Sequence, residues 1–545
     1  MSEKNMPREN TTRGPRRLAQ GLGALAVLAA PLWAGDPQPE ELWADQRVGE
    51  SYWDYKVSLG ANGTQIFSDT GFVDTHSRLY SSFRGTDSTP IWERTVGSEG
   101  SLARTLASSG DTNVHAVVRH QGSSSTDRRA TLEVFTSESS QPVFTHTFAE
   151  QDASTGANWC HVTDDGSTVI ACFIDFGFAH VKRFDAVGST YSQSGDWVLD
   201  TFGVMKNVGI TDDLRYIYLG SNGMGKVFDL SSSEATEIFN PWYIGGASQN
   251  GHAFAGNGQL IAVPVEDRVD VYSWQGSTFS LSNSFAAYGA GTGWLGHLAA
   301  LSEDGRILTA AFVRGPDIKQ VTVVAWDLAS GQQLLSDTVV SQVLNYPTDL
   351  VISEDGRRIA VAHGGGVEPG VVPAIRVYDR AGSGDDFQVL ASYDRPGSVV
   401  DLDISRDGSR LASVGKTVPL NTGFGDKIVE AFDLGRDFDA RGIPRPGSTI
   451  TFEYHPWAET QNTSCWLLET ELLEPTPLSF SFGSLYVKRS DITTIYIGSP
   501  NAQGLATHHM NIPSSAQVGS TKYYQGFSGG PRQLSRSWFP LTILP

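Results

Sequence analysis

The chain has 545 residues, 39% of them hydrophobic and 10% aromatic, enough apolar surface to bury a large core and to exclude wholesale disorder. Its 60 acidic against 40 basic side chains give a formal charge of −20, which argues against DNA, RNA or an anionic membrane as partner. The 58 glycines suit an all-β chain with many tight turns and an acidic surface.

Residues 1–34 differ from the rest. Arg8, Arg13, Arg16 and Arg17 precede an apolar run over 18–32, and Ala34-Gly35 offers a small-residue cleavage point. That is the pattern of a secretory signal peptide, and the run is too short to anchor stably across a bilayer. Arg16-Arg17 hints at twin-arginine export, although Leu18-Ala19-Gln20 after the pair fit it weakly and general export stays open; the expected destination is periplasm, cell surface or exterior.

From Leu42 onward the chain reads as short strands. Leu42-Trp43-Ala44-Asp45-Gln46-Arg47-Val48 is the first, and its wording resembles Ile91-Trp92-Glu93-Arg94-Thr95-Val96 further on. A hairpin phrase then recurs, with its turn at Asn62-Gly63, Ser109-Gly110, Asp165-Gly166, Asp213-Leu214, Asn257-Gly258, Asp304-Gly305, Asp355-Gly356 and Asp407-Gly408. Each copy joins two apolar strands, and Gly supplies positive φ without steric penalty. A third strand follows each turn, often ending in an aromatic and an Asp, as in Phe184-Asp185, Trp326-Asp327 and Tyr378-Asp379. The turns are 44 to 56 residues apart, the repeat length of a β-propeller with four strands per blade. The eighth unit lacks a fourth strand after Leu434, and the N-terminal strand at Trp43 is available to supply it. The expectation is an all-β, eight-bladed propeller over 39–440, closed by its N-terminal strand, with seven blades as the alternative. A linker over 441–447 follows, then a C-terminal β-sandwich over 448–545 with about seven short strands.

Three cysteines occur. Cys160 and Cys172 flank Asp164-Asp165-Gly166 almost symmetrically, so an exported chain could join them across the hairpin; two buried free thiols are the alternative.

Two stretches resemble known families. Gly296-His297, the hairpin at Asp304-Gly305 and Trp326-Asp327 resemble one WD repeat, although the Asp that such repeats place before the third strand is not evident. Ile512-Pro513, Val518-Gly519, Tyr523 and Gln525 resemble the C-terminal module of large secreted proteins from planctomycete-type bacteria, which implies an exterior location and carries over no activity.

Motifs with chemical potential have plainer readings. Gly526-Phe527-Ser528-Gly529-Gly530 resembles a nucleophile elbow and the trypsin-like nucleophile segment, but no helix follows and Phe527 stands where the protease needs Asp. The run 403–408 begins like a calcium loop, but position twelve is Val414. His508-His509 are adjacent and on a strand would point apart. The tryptophan docking repeats of eight-bladed quinoprotein dehydrogenases are absent, as are phosphate loops and dinucleotide fingerprints, so no cofactor is expected.

The non-repeating rim loops are the expected binding elements, with Trp242, Tyr243, Tyr288 and Trp294 as candidates for a protein or glycan contact, or else as residues buried between blades. The leading reading is an exported non-catalytic binding or scaffold protein. The alternative is a hydrolase or lactonase with its site at the channel mouth, recognisable by a ring of inward-facing carboxylates.

Overall fold

The computed structural model describes residues 40–543 except 48–55, 61–62, 73–76, 97–102, 111–113, 122–128, 152–158, 176, 202–206, 222–223, 241–250, 288–293, 315–318, 342–343, 366–371, 381–385, 396, 419–424, 436–437, 442–444, 455–463, 481–482, 501–505, 519 and 530–531. The expected signal peptide therefore lies outside the described residues.

Strands dominate because the sequence alternates β-branched and aromatic residues between glycine turns. Among the described residues, eight four-stranded antiparallel sheets precede Gly435. Seven are built from consecutive strands, such as Asn345–Ile352, Arg358–Gly365, Ile375–Asp379 and Gln388–Tyr393. In the eighth, Ser398–Ile404, Arg410–Lys416 and Lys427–Asp433 are joined by Glu40–Arg47, which runs antiparallel to Lys427–Asp433 with Trp43 opposite Ala431.

Each sheet is apolar on both faces, so each contributes to two cores. One core joins Val118 and Phe148 to Val169 and Phe184, and the next joins Ile174 and Trp197 to Leu219 and Phe228. The succession continues from sheet to sheet. The last core sets Trp43, Val414 and Val429 against Val57, Leu59 and Phe83 of the first sheet. Repeated four-stranded sheets stacked face to face in this way make a β-propeller architecture.

First strands of neighbouring sheets lie against each other, and side chains weld several of these contacts. Asp349 accepts from the Leu402 N–H at 2.8 Å, Asp401 from Val57 N–H at 2.9 Å and Asp403 from Leu59 N–H at 2.7 Å. Fourth strands are far more exposed, as in Phe279–Ala286. First strands therefore sit on the inside and fourth strands outside.

After Asp433, Phe438–Arg441 is a strand that pairs antiparallel with Thr449–Tyr454. Its charged wording hid the strand, because a short edge strand need not alternate cleanly. The three-stranded sheet that it opens packs Ile450, Phe452 and Tyr454 against Cys465, Leu467 and Tyr524 of a four-stranded sheet, a β-sandwich core.

Candidate functional site

The repeated turn does two jobs with two neighbouring residues. Its second acidic residue folds back on the hairpin: Asp355 accepts from Ser353 Oγ at 2.6 Å and from the Arg357 N–H at 3.1 Å. Asp165, Asp213, Asp304 and Asp407 do the same in their own turns. These are Asx-type turns, in which a short carboxylate stands in for a backbone acceptor. The residue before each such Asp is left free to face elsewhere, and it faces the other turns.

Those preceding residues are Asp164, Asp212, Glu303, Glu354 and Arg406, and all belong to turns at the inner edge of their sheets. Backbone bonds run from turn to turn: Glu303 N–H to the Glu354 carbonyl at 3.1 Å, Glu354 N–H to the Arg406 carbonyl at 3.2 Å, and Asp212 N–H to the Gly256 carbonyl at 3.0 Å. Side chains then reach past immediate neighbours. The Asp212 charge acts on Glu303, although the sheet containing Gly256 lies between theirs in the succession. Arg406 donates to Glu354 Oε2 at 2.6 Å and also to Asp164, 242 residues away and outside its two neighbouring sheets. Contacts between non-adjacent sheets require these turns to converge at one end of the sheets, here called the mouth.

Gly256 is part of the fit. A Cβ there would lie 2.5 Å from Asp212 Oδ1, so any side chain would push Asp212 out of the cluster.

Electrostatics follow from crowding like charges in a partly enclosed space. Glu303 also acts electrostatically on Glu354. Burial, then the nearby Asp212 charge, pushes the Glu303 carboxyl up to about 7. Glu354 is raised well above the ordinary carboxylate range, by burial first and Glu303 second, and Asp212 is raised by burial. Solvent still reaches the mouth, since Asp164 is 52% exposed and Glu354 28%. Among the described residues no group of three His, Cys, Asp or Glu is arranged to hold a metal ion.

The residues singled out from sequence fall elsewhere. Trp242, Tyr243 and Tyr288 lie outside the described residues. Trp294 opens the strand Trp294–Leu301, its backbone opposite Arg314. Asp403 of the calcium-like run is tied to Leu59 and Asp407 to its own turn, so the two do not converge. Ser528 is buried inside the strand Thr521–Gly529 and not at an elbow.

Cys160 and Cys172 carry free thiols. In the register Trp159 faces Cys172 and Cys160 faces Ala171, and the two cysteines enter different cores, so each points away from the other. Burial pushes the thiols of Cys160, Cys172 and Cys465 each up to about 12. A thiol-specific reagent should label none of the three in the native chain at neutral pH and all three after denaturation. Rapid native labelling of Cys160 or Cys172 would contradict this packing.

The mouth residues were missed because the acidic pairs read as one turn signal. The pattern was present: the residue before the turn Asp is itself acidic in Asp164-Asp165, Asp212-Asp213, Glu303-Asp304 and Glu354-Asp355, and a turn needs only one carboxylate.

No protein-family model matches this chain, and no curated protein does. Among solved structures it is similar to the C-terminal WD40 domain of Sif2, with 15% identity over 73% of this chain and 99% of that one at a TM-score of 0.47. It is also similar to the Dos1 propeller, with 12% identity over 74% and 96% at 0.44. A chain of a mitotic checkpoint complex matches with 15% identity over 60% and 87% at 0.38. These likenesses are loose, and the propeller assignment rests on the strand order and packing of this chain itself.

Proposed function

We propose that the chain is an exported, non-catalytic binding or scaffold protein: an eight-bladed propeller, closed by its N-terminal strand, that presents its faces to a protein or glycan partner, with the C-terminal sandwich serving attachment. The pairing of Glu40–Arg47 with Lys427–Asp433, and the core that joins the last sheet to the first, support the closed eight-bladed reading. Export rests on the Arg-rich and apolar wording of residues 1–34, and bacterial envelope placement on the C-terminal resemblance.

One observation carries the preference for binding over catalysis. Glu303 and Glu354, both raised, lie together at one end of the sheets, where Glu354 is engaged by Arg406 and the backbone of each is tied to the next turn. A hydrolase reading is favoured by the same cluster in one respect, since a carboxyl near pH 7 suits a general acid. Purified chain beginning at Gly35 separates the two. The expected result is no stoichiometric divalent metal after dialysis and no chelator-sensitive hydrolysis of lactone or ester substrates. Tight metal uptake together with hydrolysis lost on chelation would overturn the binding reading.

A further inference from the structure

We propose that the aromatic row Tyr496, Trp466 and Phe527, on the outer face of the C-terminal sandwich, is a binding shelf for a neutral polysaccharide, a reading that rests on the sandwich as an attachment module and gives that attachment a partner class.

Register builds the row. In the four-stranded sheet, Trp466 of Cys465–Thr470 stands opposite Tyr496 of Thr493–Gly498 on one side and Phe527 of Thr521–Gly529 on the other. Cys465 and Leu467, one residue to either side, enter the sandwich core, so alternation turns Trp466 to the opposite face. The rings lie side by side, with centroids 5.8 Å apart for Trp466 and Tyr496 and 5.6 Å for Trp466 and Phe527. Leu468, on the same face, packs with Leu485 and Val487, and that packing reaches Phe527. Tyr496 lies beyond it and is 59% exposed.

Local backbone features hold the row in place. Register shifts between Cys465 and Trp466 on one side and between Gln525 and Phe527 on another, and such bulges re-aim a side chain. Gly529 leaves room for the Trp466 ring, since a Cβ there would lie 2.6 Å from its Cζ3. Gly526 serves the other face, where a Cβ would lie 2.6 Å from Cδ2 of Tyr454 in the core. The glycine-rich run around Ser528 is thus explained by two aromatic rings, one on each face of the sheet. A ring held in this way is preorganised, so little conformational freedom is lost on binding.

Charge and area select the partner. Residues 464–468, 493–498 and 525–529 contain no charged side chain, in a chain whose formal charge is −20. An anionic polymer would be repelled by that net charge and would find no cation on these stretches. A stable interface with a second copy needs about 800 Å² per partner. Three aromatic side chains supply about 150–250 Å² each when fully buried, and Trp466 and Phe527 are already partly covered. A row of uncharged rings matches a sugar chain better. The C–H face of a pyranose lies on a ring, and its hydroxyls stay in water or bond the Tyr496 hydroxyl.

Affinity electrophoresis of the full chain beginning at Gly35 tests the shelf, in gels cast with galactomannan, mixed-linkage β-glucan, hydroxyethylcellulose or alginate. Retardation is expected in at least one of the three neutral polymers and not in alginate. Tyr496→Ala should weaken the apparent affinity about tenfold, and Tyr496→Phe, which keeps the ring, should retain most of it. Tyr496 is exposed, so both variants should melt like the native chain; Trp466→Ala adds a second expected loss where circular dichroism shows it folded. Retardation that persists undiminished in Tyr496→Ala would overturn the shelf and leave attachment through another surface. Retardation in alginate alone would do the same. No retardation in any gel would overturn the shelf and the attachment reading together. Self-association of the native chain that Tyr496→Ala abolishes would assign this face to a second copy and sink the polysaccharide site.

Discussion

Trp43→Ala should lower the unfolding free energy by about 3–5 kcal/mol, one of the two largest single-residue effects in the molecule. Trp43 sits on a strand of the last sheet, yet its ring packs on Phe83 of the first sheet with centroids 5.1 Å apart. Its Nε1–H donates to the Gly85 carbonyl at 3.2 Å, so truncation removes apolar contact and strands a buried acceptor together. The residue acts as a clasp between the two ends of the repeat region. Deleting residues 40–47 should go further, because the strand Lys427–Asp433 would become an open edge, and the chain should then aggregate or dimerise. Urea unfolding followed by far-UV circular dichroism measures the first effect and light scattering the second. A Trp43→Ala loss below about 1 kcal/mol would mean that the clasp reading is wrong.

Arg78→Ala should be comparably severe, at about 3–5 kcal/mol, for a different reason. Asp69 and Arg78 are both buried in the first sheet, on adjacent strands. Arg78 Nε bonds both Asp69 oxygens at 2.9 Å, and its terminal nitrogen adds a further contact. Removing the cation leaves a carboxylate in an interior lined by Phe67, Tyr80 and Phe135. Such a charge is costly because no nearby solvent can replace its partner. The pair itself need not be stabilising, since its own desolvation offsets much of its attraction. Replacing both residues at once, as Asp69→Leu with Arg78→Met, should therefore recover most of the loss. Equal destabilisation by the single and the double variant would show that the packing around the pair matters, and not the stranded charge.

Much of the architecture was legible in the chain alone. Turn spacing identified a four-stranded repeat, because a hairpin is a local object: Ser353, Asp355 and Gly356 make their own turn within a few residues. The alternating apolar wording of strands such as Leu467 and Phe452 likewise pointed to a C-terminal sandwich. The charged strand Phe438–Arg441 was not legible, since its place is decided by pairing with Thr449–Tyr454 and not by its own composition. The free state of Cys160 and Cys172 was also undecided in one dimension. Symmetry about the turn suggested a bridge, and the one-residue offset in register sends the two sulfurs to opposite faces.

The mouth is where sequence reasoning ended and tertiary structure took over. By itself the sequence determined that Asp165, Asp304 and Asp355 are turn formers, because that role depends on residues two positions away. It could not determine that the Asp212 charge acts on Glu303, or that Arg406 reaches Asp164 across 242 residues. Those contacts exist only because successive sheets pack around a common end and bring their inner turns together. Carboxylates from separate turns come together only through proximity that local sequence does not encode, so the repeat was visible first and its clustering only after folding.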